Sequence, residues 1–178
     1  MSEDRVPFQA TLTAASYDGV SQLPVAIVLD NVRSMYNVGA FFRTADATAA
    51  EKLLLTGITA YPPKNAITKT ALGAEETVSW EHHWDPLPVV YGLAARGYEV
   101  ALVETSLHAV DLFDWRPRFP VCLLFGHETD GVRAQLAALA DTHVRIPMLG
   151  RKHSLNVATA GGVVLYELLR KYRRSMRV

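Results

Sequence analysis

His143-Val-Arg-Ile146-Pro-Met148-Leu-Gly150-Arg-Lys-His-Ser154-Leu-Asn156-Val157 is the stretch on which the reading of this chain turns. Its first four residues are a short β-like run, and Pro147, which cannot donate to a sheet ladder, ends it. A loop follows with Gly150 and three cationic or polar side chains, Arg151, Lys152 and His153. Ser154 or Asn156 can then cap a helix, because either side chain accepts from N–H groups that lack an intrahelical partner. In that helix Val157, Ala160, Gly161, Val164, Leu165, Leu168 and Tyr172 recur at i, i+3, i+4 spacing and form one apolar face. Gly161 and Gly162 each cost roughly 1 kcal/mol relative to alanine in a helix interior. The pair therefore implies that another helix or backbone passes close by. Strand, polar loop and capped buried helix together are how an α/β protein builds a ligand crevice.

The rest of the chain repeats the alternation. Val25–Leu29 is a continuous apolar, β-branched run, the pattern of a strand buried on both faces. Asp30–Ser34 reads as a turn-rich loop, and Asn37 precedes Val38, Phe41, Phe42 and Ala45 on one helical face. Leu53–Thr56, Tyr98–Val103 and Val121–Phe125 read as further strands, and Val78–Trp84 as an extended stretch. Helices are expected near Thr68–Leu72, over Leu87–Arg96 (ended by Gly97) and over Ala134–Ala140. Strands and helices alternating at this interval predict an α/β fold with a mostly parallel sheet and helices on both faces. Residues 1–24 read as an N-terminal arm and 25–178 as a single domain.

Composition sets the bounds. The chain has 178 residues, 49% hydrophobic and 20% charged, an ordinary globular balance. Eighteen basic residues match eighteen acidic ones, so net charge gives no hint of a polyanionic partner. Distribution says more: Arg170, Lys171, Arg173, Arg174 and Arg177 crowd the C-terminus. They suit either a helix dipole or phosphates. Cys122 is the one cysteine, inside an apolar run, which excludes an intrachain disulfide and a cysteine-rich metal site. No apolar run approaches a membrane span and no leader pattern opens the chain, so a cytoplasmic protein with no membrane partner is expected.

Three polar, glycine-bearing loops follow predicted strands, at 31–43, 126–131 and 148–156. In open parallel sheets the loops beyond the carboxyl ends of strands form the ligand crevice. Neither phosphate-cradling glycine pattern is present, so a nucleotide held by its phosphates on a glycine loop is not indicated, while backbone groups of the second loop and of Met148 to Gly150 could instead hold an uncharged adenine or ribose.

Taken together, Asn37-Val-Gly39-Ala-Phe-Phe-Arg43-Thr-Ala-Asp46, Leu124-Phe-Gly126-His-Glu128-Thr-Asp-Gly131-Val132, and Ile146-Pro-Met148 with Ser154-Leu-Asn156-Val-Ala-Thr-Ala160 resemble the three ordered motifs of the SpoU (TrmH-type) RNA 2′-O-methyltransferases of the SPOUT superfamily. The resemblance spans about residues 25 to 172. It implies methyl transfer from S-adenosyl-L-methionine to a ribose 2′-hydroxyl of structured RNA, tRNA or rRNA. It also implies a C-terminal trefoil knot and a homodimer. By position, it assigns catalysis to Arg43, Asn37, Glu128, Ser154 and Asn156. It assigns cofactor contacts to Leu124, Gly126, Glu128, Gly131, Ile146, Met148, Leu149, Ser154, Leu155, Asn156 and Ala160. Arg33, Arg43, Arg151, Lys152, Arg173 and Arg174 are the expected RNA contacts.

Simpler readings stand beside these. Arg43 can be a helix-surface partner of Asp46, three residues on. Adjacent His82 and His83 point oppositely on a strand and make a poor metal pair; His108 and His143 lack ligand-spaced partners, and no metal is expected. Trp80, Trp84 and Trp115 can stack on bases or, more commonly for tryptophan, pack in a core or dimer interface. A non-catalytic RNA-binding protein on the same fold is the alternative function, and a small-molecule methyltransferase a third.

Overall fold

The computed structural model of the chain describes residues 21–127 and 131–176. Among them seven strands form one sheet: β1 (Leu23–Asp30), β2 (Ala50–Thr56), β3 (Trp80–His83), β4 (Glu99–Val103), β5 (Val110–Asp111), β6 (Val121–Phe125) and β7 (Thr142–Arg145). Their order is β3-β2-β1-β6-β4-β7-β5, and every neighbouring pair is parallel. The helices are α1 (Met35–Thr48), α2 (Asn65–Ala71), α3 (Ala74–Thr77), α4 (Pro86–Ala95), α5 (Ala134–Ala137) and α6 (Val157–Ser175). The expected parallel α/β sheet is present, and β7 enters between β4 and β5. That order is compatible with the knotted C-terminal segment the resemblance implies.

Period-two alternation sends successive side chains to opposite faces. Val25, Ile27, Leu29, Leu123 and Phe125 join α1, α2 and α6 in the larger core, while Ala26, Val28, Cys122 and Leu124 join α4 and α5 in the smaller one. Both faces are covered, which is why β1 and β6 read as unbroken apolar runs. On the larger face α6 crosses α1 where Gly161 meets Phe41. A Cβ on Gly161 would lie 2.3 Å from the Phe41 ring, whereas one on Gly162 would meet nothing within 4 Å. The expectation of close packing holds for the first glycine, against a ring rather than a backbone, and not for the second.

Boundaries shift for local reasons. β1 starts at Leu23, two residues inside the expected arm, because the Leu23 N–H donates to the Ala49 carbonyl and its side chain is buried. Residues 1–20 of that arm lie outside the described ones. α1 starts at Met35, capped by Ser34, whose Oγ accepts from the Asn37 N–H at 3.3 Å. α5 stops at Ala137, short of Ala140, because Asp141 is pinned to β4: its N–H donates to the Val100 carbonyl and its carboxylate accepts from the Val100 N–H, each at 2.8 Å. The expected helix at 68–72 is α2, followed at once by α3.

Trp115 is a core residue whose indole N–H donates to Glu99 Oε1 at 3.0 Å. Glu99, 4% exposed, is also satisfied by the Thr142 hydroxyl at 2.7 Å and the Arg118 N–H at 2.5 Å. Two of the basic tail residues are structural. Arg170 forks onto Glu167, and the Lys171 ammonium donates to the carbonyls of Leu112 and Trp115. Arg173 and Arg174 remain exposed. Burial pulls the Lys171 pKa down, while the Arg170 hydrogen bonds hold Glu167 below the usual carboxylate value.

Candidate functional site

In a parallel sheet every strand ends at the same edge, so the loops after β4, β6 and β7 open together. They enclose a cavity of about 260 Å³ beside the start of α6. Its apolar wall is Val103, Phe125, Val132, Ile146, Met148, Leu155, Val157 and Ala160, and Glu104, Thr105, His127, His153 and Ser154 supply polar groups. A second hollow of about 490 Å³ shares Thr105, Ile146, Met148 and His153 and adds Asp111, Arg145, Leu149 and Lys152. The two shape one elongated crevice.

Glycine is required at 126. The loop after β6 closes on itself through paired hydrogen bonds between His127 and Gly131, each 3.0 Å. A Cβ at Gly126 would come within 2.3 Å of the Gly131 backbone, closer than real carbon contacts allow. Gly131 itself has φ +68°, a left-handed conformation that suits glycine. Past the loop, Arg133 grips Asp30 through two hydrogen bonds of 3.1 and 2.9 Å, and Thr56 donates to the same carboxylate at 3.1 Å. This ties the end of β1 to the cavity wall.

At the mouth, the first and third loops meet. Asn156 caps α6: its Oδ1 accepts from the Ala158 and Thr159 N–H groups at 3.0 and 3.3 Å. Its Nδ2 donates to Asn37 Oδ1 at 3.2 Å, joining side chains 119 positions apart. Of the two capping candidates, Asn156 is the cap, and Ser154 faces the cavity.

Of the expected cofactor contacts, Gly126, Gly131, Ile146, Met148, Ser154, Leu155 and Ala160 line the cavity, and Leu149 lines the adjoining hollow. Leu124 does not: on β6 its side chain points to the smaller core, and Phe125, one residue on, takes the wall. Asn156 sits at the mouth. Glu128 lies outside the described residues. Arg43 is not brought into the cavity; it is exposed on α1, six residues and about 9 Å of helix rise beyond Asn37. No ion pair joins it to Asp46 among the described residues, and Asp46 accepts the Thr77 hydroxyl at 2.9 Å. Arg33, Arg151, Lys152, Arg173 and Arg174 are all exposed.

Glu104 and Thr105 are wall residues that pattern reading missed. They follow β4, and the same rule about carboxyl ends of strands would have found them. His143, for which no ligand-spaced partner was expected, is hydrogen-bonded to Glu104.

A wholly parallel sheet with a loop-lined crevice at its carboxyl edge, closed by a capped C-terminal helix, defines an α/β ligand-binding protein. Comparison narrows the class: residues 24–166 match the SpoU rRNA Methylase family, and the chain belongs to it. It is 34% identical over 155 residues to the 23S rRNA (guanosine-2′-O-)-methyltransferase RlmB of Ralstonia nicotianae, covering 86% of this chain and 61% of that one. Among solved structures it is similar to the A. aeolicus TrmH/SpoU tRNA modifying enzyme, with TM-score 0.79, 27% identity, and coverage of 86% and 78%. It is also similar to an AdoMet-bound rRNA methyltransferase from Sinorhizobium meliloti, with TM-score 0.77, 30% identity, and coverage of 84% and 60%. The chain spans 57% to 65% of the length of the first curated relatives it matches.

Proposed function

We propose that this chain is an S-adenosylmethionine-dependent RNA 2′-O-ribose methyltransferase acting on tRNA or rRNA as a homodimer. The observation that carries the reading is the Asn156–Asn37 hydrogen bond at the mouth of the crevice, in a chain of this family. It brings together two of the three stretches the resemblance marks.

The crevice suits the methyl donor. Phe125, Val132, Ile146 and Ala160 offer flat apolar contact to an adenine, and the backbone N–H groups of Met148 and Leu149 take no partner among the described residues. Ser154, Thr105 and Glu104 offer partners for hydroxyl and amino groups. S-adenosylmethionine supplies a methyl group already activated by its sulfonium charge. The protein's share is then to position a weak nucleophile in line and ease loss of its proton. Arg43 is a poor base, since a guanidinium stays protonated. Its role in this reading is to hold the adjacent phosphate or the developing alkoxide, with the proton leaving through phosphate or water. Exposed Arg43 meets that requirement only with RNA, or a second copy of the chain, against α1. Met35 and Tyr36 on α1, Leu155 before α6, and Val163 and Tyr166 on α6 are exposed apolar side chains, and they favour a dimer through these elements.

The test is transfer of labelled methyl from S-adenosylmethionine to bulk tRNA and to rRNA, followed by mapping of 2′-O-methyl positions. The expected result is one ribose methylated in one RNA class. RNA binding without transfer to either class overturns the enzymatic reading and favours the non-catalytic one.

A further inference from the structure

β3 carries an aromatic surface that the chemistry above does not use. Trp80 and His82 share one face of this edge strand, and Trp84 follows at the same spacing. Tyr61 lies across them: its ring centroid is 6.3 Å from Trp80 at 28° between planes, and 4.3 Å from His82 at 40°. Trp84 meets His82 edge-on at 5.0 Å. The His82 ring is held in place by its Nε2, which donates to the Gly57 carbonyl at 3.2 Å. On the opposite face Glu81 takes His83 at 2.8 Å and Lys52 at 3.6 Å, so charge is kept off the aromatic side.

These rings are anchored below and open above. Buried Phe42 packs edge-on against Trp80 at 6.3 Å, and Phe42 is the chain neighbour of Arg43. Trp84 is 75% exposed and Tyr61 40%, although indole rings are as a rule highly buried. Two exposed cations flank the patch and enter no ion pair among the described residues. Lys64 follows Tyr61 by three residues. Arg33 follows Asn31, whose side chain accepts the Ile58 N–H at 3.1 Å beside Gly57.

We propose that Tyr61, His82 and Trp84 form a stacking platform for an unpaired base of the RNA, with Lys64 and Arg33 taking its flanking phosphates. Any base offers a π-face to such rings, and cations track the backbone without reading sequence. Charge complementarity selects this occupant over a purely apolar one. The placement also fits: all strands of the parallel sheet end at one edge, and β3 lies three strand spacings, about 14 Å, from β6 and the crevice. A base held on the platform is thus a few nucleotides from a ribose at the crevice mouth. The proposal rests on the RNA reading above.

The test uses the full chain, total tRNA, and two labelled RNAs of equal length, one a hairpin with an unpaired loop and one fully paired. Trp84→Ala is expected to weaken the hairpin and tRNA roughly 5- to 100-fold, with S-adenosylmethionine binding by calorimetry unchanged. Trp84→Phe, which keeps a ring, is expected to recover most of the loss, and the paired RNA to bind equally to all three proteins. Wild-type hairpin affinity in Trp84→Ala overturns the platform and leaves the methyltransferase reading standing. Equal weakening on the paired RNA also overturns it. A wild-type chain that binds neither tRNA nor hairpin overturns the RNA reading itself.

Discussion

Asn156 uses both ends of one amide, its oxygen on the first turn of α6 and its nitrogen on Asn37. Asn156→Ala should cost about 1 kcal/mol through the lost cap. Asn156→Ser restores a good cap on a side chain too short to reach Asn37. Denaturant titration should therefore find the serine variant near wild-type stability, while methyl transfer falls in both; full activity in Asn156→Ser would show the bridge to be incidental. Arg43→Lys keeps the charge and loses the planar fork. Transfer is expected to fall at least tenfold with S-adenosylmethionine affinity unchanged, and substantial retained turnover would remove the bidentate role. The two adjacent glycines diverge. Gly161→Ala pushes a methyl into the Phe41 ring and should cost roughly 1–3 kcal/mol. Gly162→Ala meets open space and should stabilise by about 0.5–1 kcal/mol, both read from thermal or denaturant midpoints.

Between elements, Asp30 and Arg133 clamp the end of β1 to the loop that closes the crevice. Asp30 is 1% exposed, but the Arg133 side chain is about one-third open to water. Asp30→Asn should thus cost about 2–3 kcal/mol, less than a sealed pair, and weaken the methyl donor as the loop loosens. Donor affinity equal to wild type in a folded Asp30→Asn would separate the clamp from the crevice. Elements buried on both faces were the legible ones: β1 and β6 carry unbroken apolar runs, and α6 a clear stripe. What escaped was set by distant partners. β5, two residues on the sheet's rim, has no periodicity to show. The end of α5 is dictated by Asp141 bonding to β4, and the α1 cap by Ser34, which reads as loop. The Leu124 side chain turns to the smaller core and Phe125 to the cavity because one step along a strand reverses the face. The Asn37–Asn156 contact was foreseeable only through the resemblance, since no local pattern spans 119 positions.

For the whole molecule, charge is balanced and the response to pH comes from a few groups. Burial pushes the Cys122 thiol from 9.0 up to about 12. Burial and the neighbouring Glu51 raise Tyr98 from 10.0 to about 12. Between the ordinary and folded values the unfolded chain releases these protons while the folded chain keeps them, so stability falls as pH rises. The thiol alone should account for a loss on the order of 2 kcal/mol between pH 9 and 10.5, and Cys122→Ala should flatten that limb in chemical denaturation. On the acid side Glu81, held down by His83, and Glu167, held down by Arg170, start from 4.5. Their stabilisation is complete above that value and is lost as pH drops through the lower folded values. An alkaline limb unchanged by Cys122→Ala would place the titrating group elsewhere.

β7, whose following loop lines the crevice, comes after the other six described strands in sequence, yet it lies between two of them. β5 pairs with the sheet only through β7, so this edge of the sheet is completed when β7 is in place. Loop closure over such sequence separations slows assembly, and the crevice cannot exist before this step. Donor binding during refolding would accordingly report the closing step alone, and saturating donor would lock the finished chain against reopening.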